Sequence, residues 1–518
     1  MDSIPTEILT EIFRTLTVVD RPRTRPPTTQ RDDQYAHELY QQFGVRRKSN
    51  MDASWWVKEG KPALGWINVT FVCRRWRECA LHTSSLWTYL PDAVVIGSKW
   101  LEIFIERGRE AGIHYNDKDL IALAIEGHEL LSAHIHHIGI LRLMGHPHRS
   151  NLYHDILQQP MPLVTELSLQ DIQSMEVQAD LPNLRRLRVW NTTFAGAWPT
   201  QLCTPNITSF EYYTGSHLRE RGIYSVAMKP VDLSTLFNVL LKMPRLISLT
   251  LRLDSVQPNS AHNLPLVELR GLTRMDISGE SSNMHPVLKR ITFPPSASLR
   301  IAPRAAASTD PAVDEGSNHA FISLYENLTR GSGLAPFCTV EVIAKMNTLY
   351  FAAARHRLPD VSFAKPSYDL ELELPAVQET NMHGLAAKIW GRLCKTDAIR
   401  ELYVSGAWDS SSIKMFYDLS KVVHVDLMGP AVALLVEYMT GQTEPRTSPE
   451  ERRIGDHVET LALHRGHLDV DRCKRLAERI GTPSFKSEGR LKTVYLSKAN
   501  LSLRAGVWEE AGVEVIGV

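Results

Sequence analysis

No stretch of about eighteen apolar residues occurs in the chain, which leaves no candidate for a bilayer-spanning helix. The first residues lack the basic leader and continuous apolar run of a secretory signal, because Asp2 and Glu7 flank an amphipathic segment. Neither sign of charge is in excess: 58 basic residues face 58 acidic ones. That balance removes any global drive towards nucleic acid or an anionic membrane. The six cysteines (Cys73, Cys79, Cys203, Cys338, Cys394 and Cys473) are scattered and contain no CxxC pair. Such spacing offers no zinc finger and no disulfide framework; it fits reduced, mostly buried thiols of a cytoplasmic or nuclear protein.

Local catalytic signatures are missing too. There is no G-x-S-x-G elbow, no P-loop and no G-x-G-x-x-G behind a strand. Histidines concentrate at His134, His136, His137, His146 and His148, but Glu129 is followed by Leu130, Leu131 and Ser132, so HExxH is absent. Zinc requires three or four ligands converging at about 2 Å, and no cysteine lies near enough to complete a finger. Solvated or strand-edge histidines are the expectation. The chain is therefore read as a non-enzyme, with no catalytic residue, no cofactor and no metal. A hydrolase or metalloprotein using the histidine-rich strand is the competing class, whose metal version a metal analysis of the purified protein would test.

At 518 residues the chain exceeds what one core usually serves. Its N-terminal part reads as short helices. Ile8, Leu9, Ile12, Phe13 and Leu16 recur at helical spacing over residues 3–16, with Pro5 at the first helical position and Glu7 in the positive first turn. Residues 18–63 carry prolines and mixed charge and read mainly as a long insert. Beyond it, Val69, Val72, Trp76 and Ala80 fall on one helical face, with Arg74, Arg75, Arg77 and Glu78 mostly opposite. Thr83 or Ser84 can cap a third short helix carrying Leu86, Trp87 and Leu90, ended by Pro91. A further amphipathic helix is expected over 98–108.

Three ordered blocks then carry a resemblance. Ile4-Pro5-x-Glu7-Ile8-Leu9-x-x-Ile12-Phe13, Val72-Cys73-Arg74-Arg75-Trp76-Arg77 and Leu86-Trp87-x-x-Leu90 resemble an F-box of the F-box-like type. Ile4 stands where Leu is usual, and the insert is longer than is common; closing so long a loop costs only about 1–1.5 kcal/mol in entropy. The resemblance implies a compact all-α module over 1–92 that binds the adaptor Skp1 and, through it, a cullin–RING ubiquitin ligase. It implies Ile4, Pro5, Ile8, Leu9, Ile12, Val72 and Trp76 as residues that contact or shape that interface, with Leu86 and Trp87 nearby. For Trp76 and Trp87, burial in the module's own core competes evenly with partner contact.

The remainder repeats a period-two theme, x-L-x-x-L-x-L followed by polar residues, as in PLVTELSLQDI, LPNLRRLRVW, PNITSFEYY, MPRLISLTLRL and HVETLALH. Helical segments such as STLFNVLLKMP (234–244) and DVDRCKRLAERIG (469–481) intervene. With residues 93–130 as a helical linker, residues 131–518 are expected to form an irregular leucine-rich-repeat α/β solenoid, a horseshoe lined by a parallel sheet. Residues 294–319 and 441–455, rich in Pro, Ser and charge, read as exposed loops. This architecture resembles the F-box/leucine-rich-repeat proteins abundant in mushroom-forming fungi. Arg188, Trp190, Tyr212, Tyr213, Arg252, Phe351 and Trp408 are candidates for a surface that holds a substrate protein, with core packing the competing reading. Strand phase decides between the two, since a one-residue shift reverses every side chain. The function expected is substrate receptor of an SCF-type ubiquitin ligase; the alternative is an F-box/repeat scaffold acting outside ubiquitin ligation.

Overall fold

The structure is a computed structural model. It describes residues 4–19, 65–90, 98–116, 132–145, 150–194, 198–214, 232–254, 256–257, 264–304, 337, 339–345, 348–355, 368–375, 386, 389–390, 394, 398–406, 408, 421–428, 458–464, 492–496 and 514–517. The insert proper, His146, His148, the expected helix 469–481 and the loop 441–455 lie outside the described residues. The chain divides into two compact units, Met1–Gly271 and Leu272–Val518.

The first unit opens with α1 (Thr6–Val19), the 3-10 turn η1 (Gly65–Phe71), α2 (Arg74–His82), the 3-10 turn η2 (Ser84–Trp87) and α3 (Ser98–Gly108). Leu9 and Phe13 on α1 are fully buried, as are Leu86 and Trp87 on η2 and Leu101 and Phe104 on α3. These elements share one core. The strands β1 (Ile113–Asn116), β2 (Ile138–Met144), β3 (Glu166–Gln170), β4 (Arg186–Trp190), β5 (Ser209–Thr214) and β6 (Ser248–Leu253) follow, all parallel and in sequence order, with the helix α4 (Ser150–Leu157) between β2 and β3 in the chain. β1 lies within the stretch expected to be a helical linker. Its backbone continues the helical part into the sheet, because the His114 N–H donates to the Thr88 carbonyl at 2.7 Å.

Apolar alternation sets the phase of each strand. Leu141, Leu167, Leu187, Phe210 and Leu249 stand in register on one face, and Leu143, Leu169, Val189, Tyr212 and Leu251 form the next row; all ten are buried. Strand entries repeat a second pattern. The Arg185 and Arg186 N–H groups share the Thr165 carbonyl, those of Thr208 and Ser209 share the Arg185 carbonyl, and those of Ile247 and Ser248 share the Thr208 carbonyl. At two entries an asparagine adds a bond to the preceding turn: Asn183 to the Pro162 carbonyl at 2.7 Å and Asn206 to the Pro182 carbonyl at 3.2 Å. Each turn thus satisfies the polar backbone of the next, as buried amides require.

Strand exits are equally tight. The Gly145 N–H donates to the Gln170 carbonyl at 2.6 Å, and a Cβ at Gly145 would overlap the Asp171 carbonyl. Backbone atoms on both sides leave nothing soft to yield. Gly145→Ala is expected to cost about 1–3 kcal/mol, the usual range for forced overpacking, read as a lower urea midpoint. The helix α5 (Leu233–Leu241) has an acceptor cap: the Asp232 carboxylate takes the Ser234 and Thr235 N–H groups, both at 3.1 Å. Burial raises this carboxyl's pKa, but the hydrogen bonds from Ser234 and Thr235 outweigh it and leave the group below its ordinary value. Its contribution to stability is therefore complete above the ordinary carboxylate range and is lost as pH falls through the lowered folded value. Asp232→Ala is expected to cost about 1 kcal/mol at pH 7, and less in acid, which urea melts at the two pH values check.

The second unit contains β8 (Arg274–Glu280), α6 (Ser281–Arg290), β10 (Ser298–Arg304), β11 (Thr339–Lys345), β12 (Thr348–Ala354), β13 (Leu370–Pro375), β14 (Glu401–Gly406), β15 (His424–Met428), β16 (Thr460–His464), β17 (Thr493–Leu496) and β18 (Glu514–Gly517), with two-residue strands β7 (Val267–Glu268) and β9 (Ile291–Thr292) on either side of the unit boundary. Its strand order is β8-β10-β13-β12-β11-β14-β15-β16-β17-β18. The sheet here is mixed, not fully parallel as expected. β12 runs antiparallel to both β11 and β13; for β11 the reason is that Lys345 pairs with Thr348 across a connection too short for the crossover that parallel strands need. Residues 298–304, expected in a loop, form β10. There Leu299 and Ile301 are buried in register with Met275 and Ile277, and this alternation outweighs the flanking prolines. Among the described residues no helix is long and apolar enough to cross a membrane.

Candidate protein-docking surfaces

The sequence-selected residues of the N-terminal part separate into two sets. Leu9, Leu86 and Trp87 are buried, whereas Pro5, Ile8, Ile12 and Val72 are exposed and Ile4 and Trp76 half-buried. The division follows the α1 helix. Thr6 and Thr10 meet Cys79 of α2, and Phe13 meets Trp76 edge-on with ring centroids 5.4 Å apart. Ile8 and Ile12, one turn apart, lie off this packed side, with 52% and 42% of their surface open. Val72 is 53% exposed, and its neighbour Phe71, which the sequence reading did not select, is 61% exposed. Large apolar side chains left this open near a small core cost water contact that a partner would relieve.

The expected single helical face through Val69, Val72, Trp76 and Ala80 does not form. Residues 65–71 are a 3-10 turn, and α2 starts only at Arg74, with the Cys73 sulfur at N-cap accepting the Trp76 N–H at 3.5 Å. Val69 is consequently buried beneath the turn while Val72 is turned out. Nor is the arginine run merely solvated. Arg75 donates to the Ile4 carbonyl, and Arg77 donates to the Thr70 carbonyl at 2.8 Å, so these guanidiniums tie η1 and the start of α1 to α2. Trp87 anchors the core: its ring lies 5.0 Å from both Trp66 and Phe104, and its indole N–H reaches the Ala80 carbonyl at 2.8 Å.

Of the candidates on the strands, Tyr212, Phe351 and Trp408 are buried and are removed from the surface. Tyr212 and Phe351 sit in the inward rows of β5 and β12, and burial holds the Tyr212 hydroxyl well above its ordinary pKa. Trp408 turns back, its N–H on the Ser405 carbonyl at 3.0 Å. Arg188, Trp190, Tyr213 and Arg252 share the opposite, open face of the first unit's sheet. The Trp190 and Tyr213 rings are 4.7 Å apart, and the Arg252 guanidinium covers Tyr213 at 4.7 Å.

His134, His136 and His137 cluster with ring centroids 3.9–6.4 Å apart. Burial, then the neighbouring histidines and Arg109, lower the pKa of His134 and His137. Among the described residues no group of histidine, cysteine or carboxylate side chains is arranged to hold a metal ion. Comparison of the sequence with protein-family models and with curated proteins returns no match.

Proposed function

We propose that the chain is the substrate-recognition subunit of an SCF-type ubiquitin ligase, acting in the cytoplasm or nucleus. In this reading α1, η1, α2, η2 and α3 constitute an F-box-like all-α module, and the strands belong to a degenerate leucine-rich-repeat solenoid. The observation that carries it is the exposure of Ile8, Ile12, Phe71 and Val72 beside a core that is otherwise closed. Three of these belong to the IPxEILxxIF and VCRRWR blocks that resemble an F-box. An apolar surface of this kind suits docking on a partner helix, here that of Skp1.

The contribution to ubiquitin transfer is proximity. The helical module is held by Skp1 and its cullin, while the open sheet face holds a substrate, so that an acceptor lysine meets the charged E2 at high effective concentration. The chain itself supplies no reacting group.

Coexpression with Skp1 and a cullin tests the proposal. The three are expected to copurify as one complex. Failure to retain Skp1 removes the basis of the reading, and retention of Skp1 without cullin assigns the chain to a scaffold outside ubiquitin ligation.

A further inference from the structure

The open face of β2–β6 has a charge arrangement that its composition hides. Glu166 on β3 lies sunk among arginines, its side chain only 6% exposed. Arg142 of β2 donates to it twice, at 3.0 and 2.7 Å, while Arg186 and Arg188 of β4 approach it at 3.8 Å each. Arg188 also bonds Glu211 of β5 at 2.9 Å. The carboxylates lie below and the guanidiniums above: Glu211 is 19% exposed, against 42% for Arg142, 63% for Arg186 and 35% for Arg188. Three cations share two carboxylates, and a molecule approaching the sheet meets the cations first.

We propose that this face receives an acidic polypeptide segment, with Arg142, Arg186 and Arg188 meeting its Asp and Glu side chains and the Trp190–Tyr213 pair seating an apolar residue beside them. This deepens the substrate-receptor reading by naming the substrate class, and it rests on that reading only for the open sheet face. Each guanidinium has five N–H donors, more than the carboxylate beneath it can take up. Arg142 and Arg188 stand two strands apart, about 10 Å at the usual strand spacing. That separation suits successive carboxylates along a chain better than one compact phosphate, which would also sit over the buried Glu166 charge. Trp190 follows Arg188 by two residues on the same face, about 7 Å along β4, within reach of the same segment. Nucleic acid fits less well. The two rings are inclined at 53° and Arg252 already covers Tyr213, so stacked bases find no parallel platform.

The test uses the full chain, immobilised and panned with a phage library of random dodecapeptides, with counter-selection on Arg186→Glu. Arg186 is the most exposed of the three, and Arg142 still pairs Glu166 in its absence, so the variant is expected to fold, with a slightly lowered melting temperature because a carboxylate at position 186 stands directly opposite Glu166. Arg186→Gln serves if it does not. Peptides selective for the wild type are expected to hold several times the library's share of Asp and Glu. A synthetic peptide from that set should lose about tenfold affinity for Arg186→Glu, the scale of one charge-assisted contact. Selected peptides without acidic excess, or binding both chains equally, overturn the proposal; so does displacement of the peptide by poly(U), which assigns the face to RNA. Skp1 copurification with Arg186→Glu is expected unchanged. Acidic selection in a chain that fails to bind Skp1 leaves this inference standing and removes the ligase reading alone.

Discussion

Trp87→Ala is expected to lower the unfolding free energy by about 3–5 kcal/mol, the usual cost of deleting a large buried ring. Trp87 is 1% exposed and packs between Trp66 and Phe104, with the Arg107 guanidinium 5.1 Å from its ring centre. The cavity cannot close cheaply, because α3 is already held against η2: a Cβ at Gly108 would lie 2.7 Å from the Trp87 carbonyl oxygen. Urea unfolding followed by far-UV circular dichroism measures the loss. Trp87→Phe retains a ring but abandons the bond to the Ala80 carbonyl, and is expected to fall between the two. A wild-type-like midpoint for Trp87→Ala would show that the helical part has some other core.

Paired substitution at Ile8 and Ile12 is expected to do the reverse, removing docking and sparing the fold. Both side chains are exposed in the chain alone, so Ile8→Asp with Ile12→Asp should change stability by no more than about 0.5 kcal/mol. The new carboxylate at position 8 also suits the positive end of α1. In a complex the same pair would bury two unpaired charges. Two contacts worth about 2 kcal/mol each correspond to a loss on the order of a thousandfold in affinity for Skp1. Leu9→Asp supplies the contrast: Leu9 is 0% exposed, so that chain is expected to unfold whether or not an adaptor is present.

Much of this architecture is legible in the sequence, since it depends on local alternation. The amphipathic pattern of 98–108 coincides with α3, and motifs such as PLVTELSLQ and LPNLRRLRVW mark β3 and β4. β1, β11, β13 and β18 went unread. β1 and β18 are four residues long, and a strand such as Ile113–Asn116 is specified by its partner rather than by its own composition; β11 and β13 do alternate, as TVEVIAK and LELELP, but lack the x-L-x-x-L-x-L spacing of the other strands. Period alone also did not reveal that Cys73 interrupts the helix, because the apolar spacing of Val72 and Trp76 continues across a boundary set by capping.

The candidate surfaces were harder to read, for a related reason. Ile8, Leu9, Ile12 and Phe13 form one broad stripe on α1, and only the position of Trp76 and Cys79 determines which edge of it is covered. Tyr212 and Tyr213 differ by one residue and so lie on opposite faces of β5, one in the core and one beside Trp190. The sinking of Glu166 beneath three arginines joins β2, β3 and β4 and has no signature within any one of them. Phe71 carried the one available signal, an apolar residue directly preceding the exposed Val72.

Titration of purified Skp1 into the full chain, wild type against the Ile8→Asp, Ile12→Asp pair, tests the central claim most directly. The account predicts tight binding to the wild type, and binding at least a hundredfold weaker to the variant, on the scale of its lost contacts, with both chains unfolding at the same urea concentration. Equal affinity for the two chains, or no binding to the wild type, would contradict it.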